Sequence, residues 1–163
     1  MKKPYLYDSA LLPSGFQYPQ SFLDFIAQDD VSNLFPWRFI CYDGKEASDG
    51  WKEELERLYP TRKLIPFARE SGTDDCSCFD AATPSSNPRV YFVHAYASPG
   101  WEDRGYADDF SDWLKMAGAE AAAWRQWFQN EYGRDKLEAQ LEKIRRDKWR
   151  LEETSKKNGG SSA

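Results

Sequence analysis

The sequence predicts an α+β fold, because a run of short strands in its middle is preceded and followed by helical segments. Residues 34–42, 63–68, 76–80 and 89–96 are short apolar stretches bounded by turn residues, and each predicts a strand. The last of them, RVYFVHAY, is the strongest, since its side chains alternate between two faces. Helical periodicity begins again only after this strand.

Helices are predicted on both sides of this run of strands. One should follow Pro19, another should begin at Ser48 or Asp49, and a third should be capped by Asp108 or Asp109. Their apolar stripes are Phe22, Leu23 and Ile26, then Trp51, Leu55, Leu58 and Tyr59, then Phe110, Trp113, Leu114 and Ala117. We expect the third helix to pack its stripe onto the sheet.

The sequence pattern changes at Gly118, and this change separates the predicted domain from a C-terminal helical extension. Residues 119–132 carry large apolar side chains at helical spacing, and a heptad seam follows. The seam consists of Leu137, Leu141, Ile144 and Leu151, interrupted by Lys148. We expect two helices that cover either the domain or a second copy of the chain, as in a homodimer. The predicted organisation is a domain at 1–118, an extension at 119–154 and a disordered tail at 155–163.

Charge is divided unevenly along the 163 residues of the chain. Residues 1–118 hold 12 Lys/Arg and 19 Asp/Glu, a net charge of −7, whereas residues 119–163 hold 10 and 8, a net charge of +2. An acidic body argues against nucleic acid as a partner, because phosphate binding needs clustered cations. It favours a basic protein partner. The aromatic content of 16 % excludes the disordered class for most of the chain.

Nothing in the sequence predicts export or a membrane. No run approaches the roughly 20 apolar residues of a membrane span. Pro4, Asp8 and Pro13 interrupt the apolar region that a signal peptide would need. The three cysteines are an odd number and do not suggest a disulfide framework. We therefore expect a cytoplasmic protein.

The motifs that would carry enzymatic chemistry are missing. The sequence contains no G-x-x-x-x-G-K, G-x-G-x-x-G, H-E-x-x-H or G-x-S-x-G. Two weaker constellations stay open: a mixed metal site from Cys76, Cys78 and His94 with an aspartate, and a hydrolase in which His94 activates one of these thiols beside Asp80. We expect neither, because cysteine is usually a small buried hydrophobe, and so we predict no catalytic residues, no metal and no cofactor.

Carboxylates concentrate in loops beside the predicted strands. An acidic loop with embedded aromatic side chains is typical of a surface that binds a cationic protein, and loops held by a rigid sheet often carry binding residues. The plainer interpretation is a set of solvated loops whose aspartates cap a helix. The predicted partner-binding residues are Asp74, Asp75, Trp101, Glu102, Asp103, Tyr106, Asp108 and Asp109.

Six short motifs follow one another in a set order between residues 10 and 117. They are Leu12-Pro13, Ile65-Pro66-Phe67-Ala68, Gly72 with Asp75, Cys78-Phe79-Asp80, Val90-Tyr91 with His94, and Phe110 with Trp113-Leu114. In this order they resemble the SMI1/KNR4 (SUKH) superfamily. The chain departs from that pattern at 43–60, which is longer and contains an extra predicted helix.

The resemblance implies an α+β fold with a single mixed, mostly antiparallel sheet and helices packed around it. It also implies no catalysis and no cofactor. Many bacterial members are similar to immunity proteins that neutralise toxins such as nucleases, whereas fungal members resemble signalling scaffolds. We therefore expect an immunity protein that binds a cognate toxin or other basic protein, with a regulatory, peptide-binding scaffold as the alternative.

Overall fold

The computed structural model describes residues 3–28, 32–96 and 104–158, and these contain a five-stranded sheet. The strands are β1 (Trp37–Phe39), β2 (Leu64–Glu70), β3 (Asp75–Asp80), β4 (Val90–His94) and β5 (Tyr106–Ala107). Strands that follow one another in sequence are neighbours in the sheet, and all four pairings are antiparallel. The predicted α+β fold with a mostly antiparallel sheet is confirmed.

Four α-helices accompany the sheet in the described part of the chain. They are α1 (Gln20–Ile26), α2 (Lys45–Leu58), α3 (Phe110–Tyr132) and α4 (Arg134–Asn158). The helix predicted after Pro19 is α1, with Pro19 at its N-cap position, and the predicted C-terminal helices are present as the end of α3 and α4. None of the described helices is long and apolar enough to cross a membrane.

The sheet separates two hydrophobic cores, because successive side chains of a strand point to opposite faces. In β3, Phe79 lies in the core on one face, whereas Cys76 and Cys78 lie in the core on the other. Their partners on β4 follow the same division, with Val90 opposite Phe79 and Val93 opposite Cys76. A sheet covered on both faces accounts for the nearly continuous burial of β3.

The larger core is aromatic and joins the sheet to α1 and α3. Trp113 of α3 meets Phe67 of β2 edge-on, with ring centroids 4.9 Å apart. Its indole N–H donates to Oγ of Ser77 at 2.8 Å, which gives a partner to both buried polar groups. Phe110 and Trp113 are fully buried and Leu114 packs against the same core, so the predicted packing of this helix on the sheet is confirmed.

The smaller core lies on the opposite face of the sheet, under α2. Leu55 and Tyr59 pack in the same core as Cys76 and Cys78. The Tyr59 hydroxyl also donates to the backbone carbonyl of His94 at 2.8 Å, which ties the end of α2 to the end of β4. The additional helix of this chain therefore closes the second face of the sheet.

The start of α2 differs from the prediction. Its N-cap is Gly44, whose φ of 92° lies in the region that favours glycine, and the helix begins at Lys45 instead of after Ser48 or Asp49. Ser48 is buried within the helix, where its hydroxyl donates to the Ile40 carbonyl at 3.0 Å. The predicted cap was wrong because the sequence does not show whether a serine hydroxyl bonds the start of its own helix or a neighbouring segment.

Two further boundaries differ from the prediction. The strand predicted at 34–42 shortens to β1, because short 3-10 helices at Ser32–Leu34 and Ile40–Tyr42 flank it. The helix predicted to end near Ala117 instead continues through Gly118 as part of α3. A glycine inside a helix costs only about 1 kcal/mol relative to alanine, which the packing of the surrounding turns offsets.

The backbone forms two compact units, residues 1–121 and residues 122–163. The first contains the sheet with α1 and α2, and the second contains the end of α3 and α4. α4 continues to Asn158, four residues beyond the end of the predicted extension, and residues 159–163 of the predicted tail lie outside the described residues. The division into a domain, an extension and a tail stays a prediction.

Candidate partner-binding surface

The short strand β5 forms one edge of the described sheet. Tyr106 lies opposite Tyr91 of β4, and the Phe92 N–H donates to the Gly105 carbonyl at 3.1 Å. With only two residues β5 was not recognisable as a strand in the sequence, where it falls in a predicted loop. An edge strand that carries exposed side chains is a suitable place for a partner to contact the sheet.

Tyr106 belongs to a stack of two arginines and two tyrosines. The Arg89 guanidinium lies 4.1 Å from the centroid of the Tyr106 ring, and Arg62 lies 4.6 Å from that of Tyr91. The two tyrosine rings are 5.9 Å apart. We call Arg62, Tyr91, Tyr106 and Arg89 the arginine–tyrosine stack. Tyr106 remains 53 % exposed, so its ring is held in place while one side faces solvent.

The predicted residues Asp74 and Asp75 lie at the start of β3. Asp75 is held by two basic groups, since His94 Nδ1 is 3.0 Å from its Oδ1 and Arg104 Nη1 is 3.5 Å from its Oδ2. Asp74 is exposed, and its backbone carbonyl accepts a hydrogen bond from the Ala95 N–H at 2.8 Å. The side chain of Asp74 is therefore available to a partner, whereas the carboxylate of Asp75 is engaged by His94 and Arg104.

The predicted residues Asp108 and Asp109 follow β5. Asp109 is the cap of α3, because its Oδ1 accepts the Asp112 N–H at 2.9 Å, while its Oδ2 accepts from the Asn87 amide at 3.0 Å. These hydrogen bonds to Asp112 and Asn87 hold the pKa of Asp109 below its usual value. Asp108 is exposed and lies 3.9 Å from Arg89, so it stays on the surface beside the arginine–tyrosine stack.

The two pairs of aspartates lie at opposite ends of β4. Asp75 pairs with His94 at the end of that strand, whereas Asp108 lies beside Arg89 at its beginning. Five residues of strand separate these ends by roughly 16 Å. Tyr106 pairs with Tyr91, three positions before His94, so Tyr106 and Asp75 lie on opposite faces of the sheet. Trp101, Glu102 and Asp103 lie outside the described residues.

Three members of the arginine–tyrosine stack were missed in the sequence. Arg89 and Tyr91 are two positions apart, and their spacing places them on the same face of a strand, which is a usable signal. Arg62 and β5 join the stack through contacts between segments far apart in sequence, and no local sequence pattern predicts these contacts. The surface is therefore mixed in charge instead of uniformly acidic.

The geometry contradicts both constellations that combine a thiol with His94. Cys76 and Cys78 face the smaller core, whereas His94 pairs with Asp75 on the opposite face of the sheet. The imidazole and the two thiols therefore lie on opposite sides of the sheet. Neither the metal site nor the hydrolase can form from these residues. Within the described residues, no group of three or more His, Cys, Asp and Glu side chains is placed to hold a metal ion.

We expect Cys76 and Cys78 to resist modification by a soluble thiol reagent in the folded protein. Both are fully buried, and burial raises the pKa of the Cys76 thiol to about 12 and that of Cys78 well above its usual value. Reaction with a disulfide reagent at mildly alkaline pH, with and without denaturant, measures this. Fast stoichiometric labelling of either cysteine in the folded chain would contradict the buried arrangement.

Comparison with known proteins identifies the family. Neither the curated proteins nor the solved structures give a match. The model of the SMI1/KNR4 family (SUKH-1) matches residues 10–116, about two thirds of the chain. The matched range includes α1, α2, all five described strands and the first turns of α3, and it contains the six motifs that carry the sequence resemblance. The chain belongs to the SMI1/KNR4 family (SUKH-1).

Proposed function

We propose that this chain is a non-enzymatic binding domain, and specifically an immunity protein that binds and neutralises a cognate bacterial toxin. The family match carries this proposal, because many bacterial members of the SUKH superfamily are similar to immunity proteins. The buried thiols and their separation from His94 support the non-enzymatic part, since they remove the nucleophile that the sequence offered. Binding must then come from the surface.

The charge of the chain favours a basic toxin. Residues 1–118 have a net charge of −7, which would accelerate the encounter with a cationic partner and orient it. Screening by salt weakens such attraction beyond roughly 8–10 Å, so association should slow as ionic strength rises. Charge alone sets the rate of encounter, and a close contact is needed to hold the complex.

The β4–β5 edge supplies a suitable contact. Tyr106 is exposed but already ordered between Arg89 and Tyr91, so a partner that covers it loses little side-chain entropy. Tyrosine and arginine are enriched at the centres of interfaces. We place Tyr106 at the centre of the partner surface and Asp108 beside it.

The other predicted residues have different places in this proposal. Asp74 and Asp75 lie at the start of β3, near the far end of β4, and they remain part of the proposal together with Trp101, Glu102 and Asp103. Asp109 is engaged as the cap of α3, so we assign it a positioning role instead of a direct contact.

The experiment that tests the function begins from the gene next to that of this chain. If that gene encodes a protein with a toxic C-terminal domain, production of the domain alone should arrest a host, and co-production of this chain should restore growth. The purified pair should also elute as one complex. A toxic domain that this chain neither binds nor neutralises would refute the immunity role, and capture of a regulatory peptide instead would favour the scaffold alternative.

Replacing Tyr106 with alanine should speed dissociation from the toxin by about 30-fold, the factor that corresponds to a hot spot of about 2 kcal/mol. The loss of an ordered aromatic contact acts on the dissociation rate more than on the encounter. Surface plasmon resonance at several salt concentrations measures both rates. Leu11→Ala removes a comparably exposed apolar side chain from the N-terminal segment and serves as the control.

Charge reversal tests the electrostatic contribution to association separately from the contact made by Tyr106. Lysine at Glu102, Asp103 and Asp108 should slow association and weaken its salt dependence, while folding is kept. The same reversal at Glu53, an exposed residue of α2, is the matched control. Kinetics unchanged by Tyr106→Ala and by the triple reversal would show that the toxin binds another face.

A further inference from the structure

The backbone of Tyr106 presents hydrogen-bonding groups at the outer edge of β5. The Phe92 N–H donates to the Gly105 carbonyl at 3.1 Å, so these two residues face each other as a hydrogen-bonded pair. Such pairs alternate with non-bonded pairs along an antiparallel ladder, and the next pair, Tyr91 with Tyr106, is therefore a non-bonded one. The N–H and C=O of Tyr106 consequently point away from β4.

The outer edge of β5 is open in the part of the chain that the structure describes. The sheet ends at β5, and no described residue bonds the outward N–H or C=O of Tyr106. Tyr106 is also 53 % exposed, so a partner can reach this edge. Unpaired groups on a strand edge are complementary to one kind of ligand, an extended backbone, because it offers donors and acceptors at the same spacing.

The side chains at this edge indicate what the extended segment would carry. Tyr106 and Asp108 are two positions apart and both contact Arg89, so they lie on the same face of the sheet. The side chain of Asp108 is 74 % exposed. An added strand places one side chain beside the Tyr106 ring and another, two positions along, opposite Asp108. The first position favours an aromatic or aliphatic side chain, and the second favours lysine or arginine.

We infer that an extended segment of the toxin adds to the sheet as a further strand beside β5. This inference rests on the proposed function and specifies how the toxin binds at this edge. Charge favours the toxin over a second copy of the chain, because a body at −7 attracts a cationic segment and repels its own copy. The backbone of Tyr106 holds the segment, while the arginine–tyrosine stack and Asp108 select its side chains.

Hydrogen exchange of the Tyr106 amide, followed by NMR in the free chain and in the complex, tests the inference. In the free chain this amide should exchange rapidly, whereas the Phe92 amide, which is bonded within the sheet, should be protected. The toxic domain encoded by the neighbouring gene should slow exchange at Tyr106 by about 100-fold or more. Protection at Phe92 should persist in both states, which makes it the internal control.

A proline variant removes the outward N–H while the bonds to β4 are kept. Tyr106→Pro loses the side chain and the N–H, whereas Tyr106→Ala loses only the side chain, so their difference reports the backbone bond. Proline is accepted on strand edges where the N–H faces solvent. Tyr106→Pro should weaken toxin binding about 5-fold more than Tyr106→Ala, the factor for one hydrogen bond. Surface plasmon resonance measures both affinities, and circular dichroism confirms that both variants fold.

Three results would overturn the inference. One is a neutralising complex in which the Tyr106 amide exchanges as fast as in the free chain, which rejects strand addition and leaves the immunity role intact. The second is equal toxin affinity of folded Tyr106→Pro and Tyr106→Ala. The third is protection of the Tyr106 amide that rises with concentration in the toxin-free chain, which would assign this edge to a second copy. The exchange measurement uses the wild-type chain, so it decides the matter even where proline disturbs the fold.

Discussion

Replacing Trp113 with alanine should lower the free energy of unfolding by about 3–5 kcal/mol, a large share of the stability of a small domain. Trp113 is fully buried and contacts the rings of Trp37, Phe39, Phe67 and Phe110 at centroid distances of 5.7, 5.7, 4.9 and 5.5 Å. The truncation opens a cavity between α3 and the sheet. Urea unfolding followed by circular dichroism measures the change.

Two milder variants separate the hydrogen bond from the packing. Trp113→Phe keeps much of the ring volume but removes the indole N–H, which leaves the Ser77 hydroxyl without its donor. Ser77→Ala removes the acceptor and leaves the N–H unpaired, at a cost of about 1–3 kcal/mol. If Trp113→Ala costs no more than Ser77→Ala, the aromatic packing of α3 on the sheet is not what stabilises the domain.

The elements that the sequence predicted well are those whose pattern is local. β2, β3 and β4 coincide with the short stretches between turn residues that predicted strands, and α3 places Phe110 and Trp113 three residues apart on one buried stripe. In these segments hydrophobic periodicity and burial agree, because each element packs its apolar side chains directly against the sheet.

The elements that it predicted poorly depend on distant contacts. β5 has two residues and exists because Tyr106 and Ala107 pair with β4, and nothing within the loop itself predicts that pairing. Ser48 was predicted to cap a helix, but its hydroxyl donates to the carbonyl of Ile40. That contact depends on the path of the chain before Gly44, which the local sequence does not show. Local propensity is a weak prior wherever tertiary contacts set the boundary.

The sequence predicted which residues belong to the candidate site, but it did not predict how they contact one another. The sequence identified Tyr106, Asp108 and Asp75, but it could not show that His94 and Arg104 contact the carboxylate of Asp75. These partners come from β4 and from the segment before β5, and only the strand register brings them to Asp75. A count of carboxylates therefore overstated how many of them are free to contact a partner.

Replacing Leu55 with alanine should destabilise the chain by about 2–5 kcal/mol. Leu55 is almost fully buried in the smaller core, where α2 covers Cys76 and Cys78. Glu53→Ala, at an exposed position of the same helix, should change stability by less than about 0.5 kcal/mol and is the matched control. Equal urea midpoints for the two variants would show that α2 does not stabilise the sheet.

The cysteines also report how the Leu55→Ala chain opens. Cys76 and Cys78 lie under α2, whereas Cys41 belongs to the larger core on the other face of the sheet. If the variant loosens α2 locally, Cys76 and Cys78 should react with a thiol reagent well before Cys41, because only their core is uncovered. Mass spectrometry of the labelled chain gives the three rates separately. Equal rates at all three cysteines would mean that the chain opens only by global unfolding, and that α2 and the sheet form one cooperative unit.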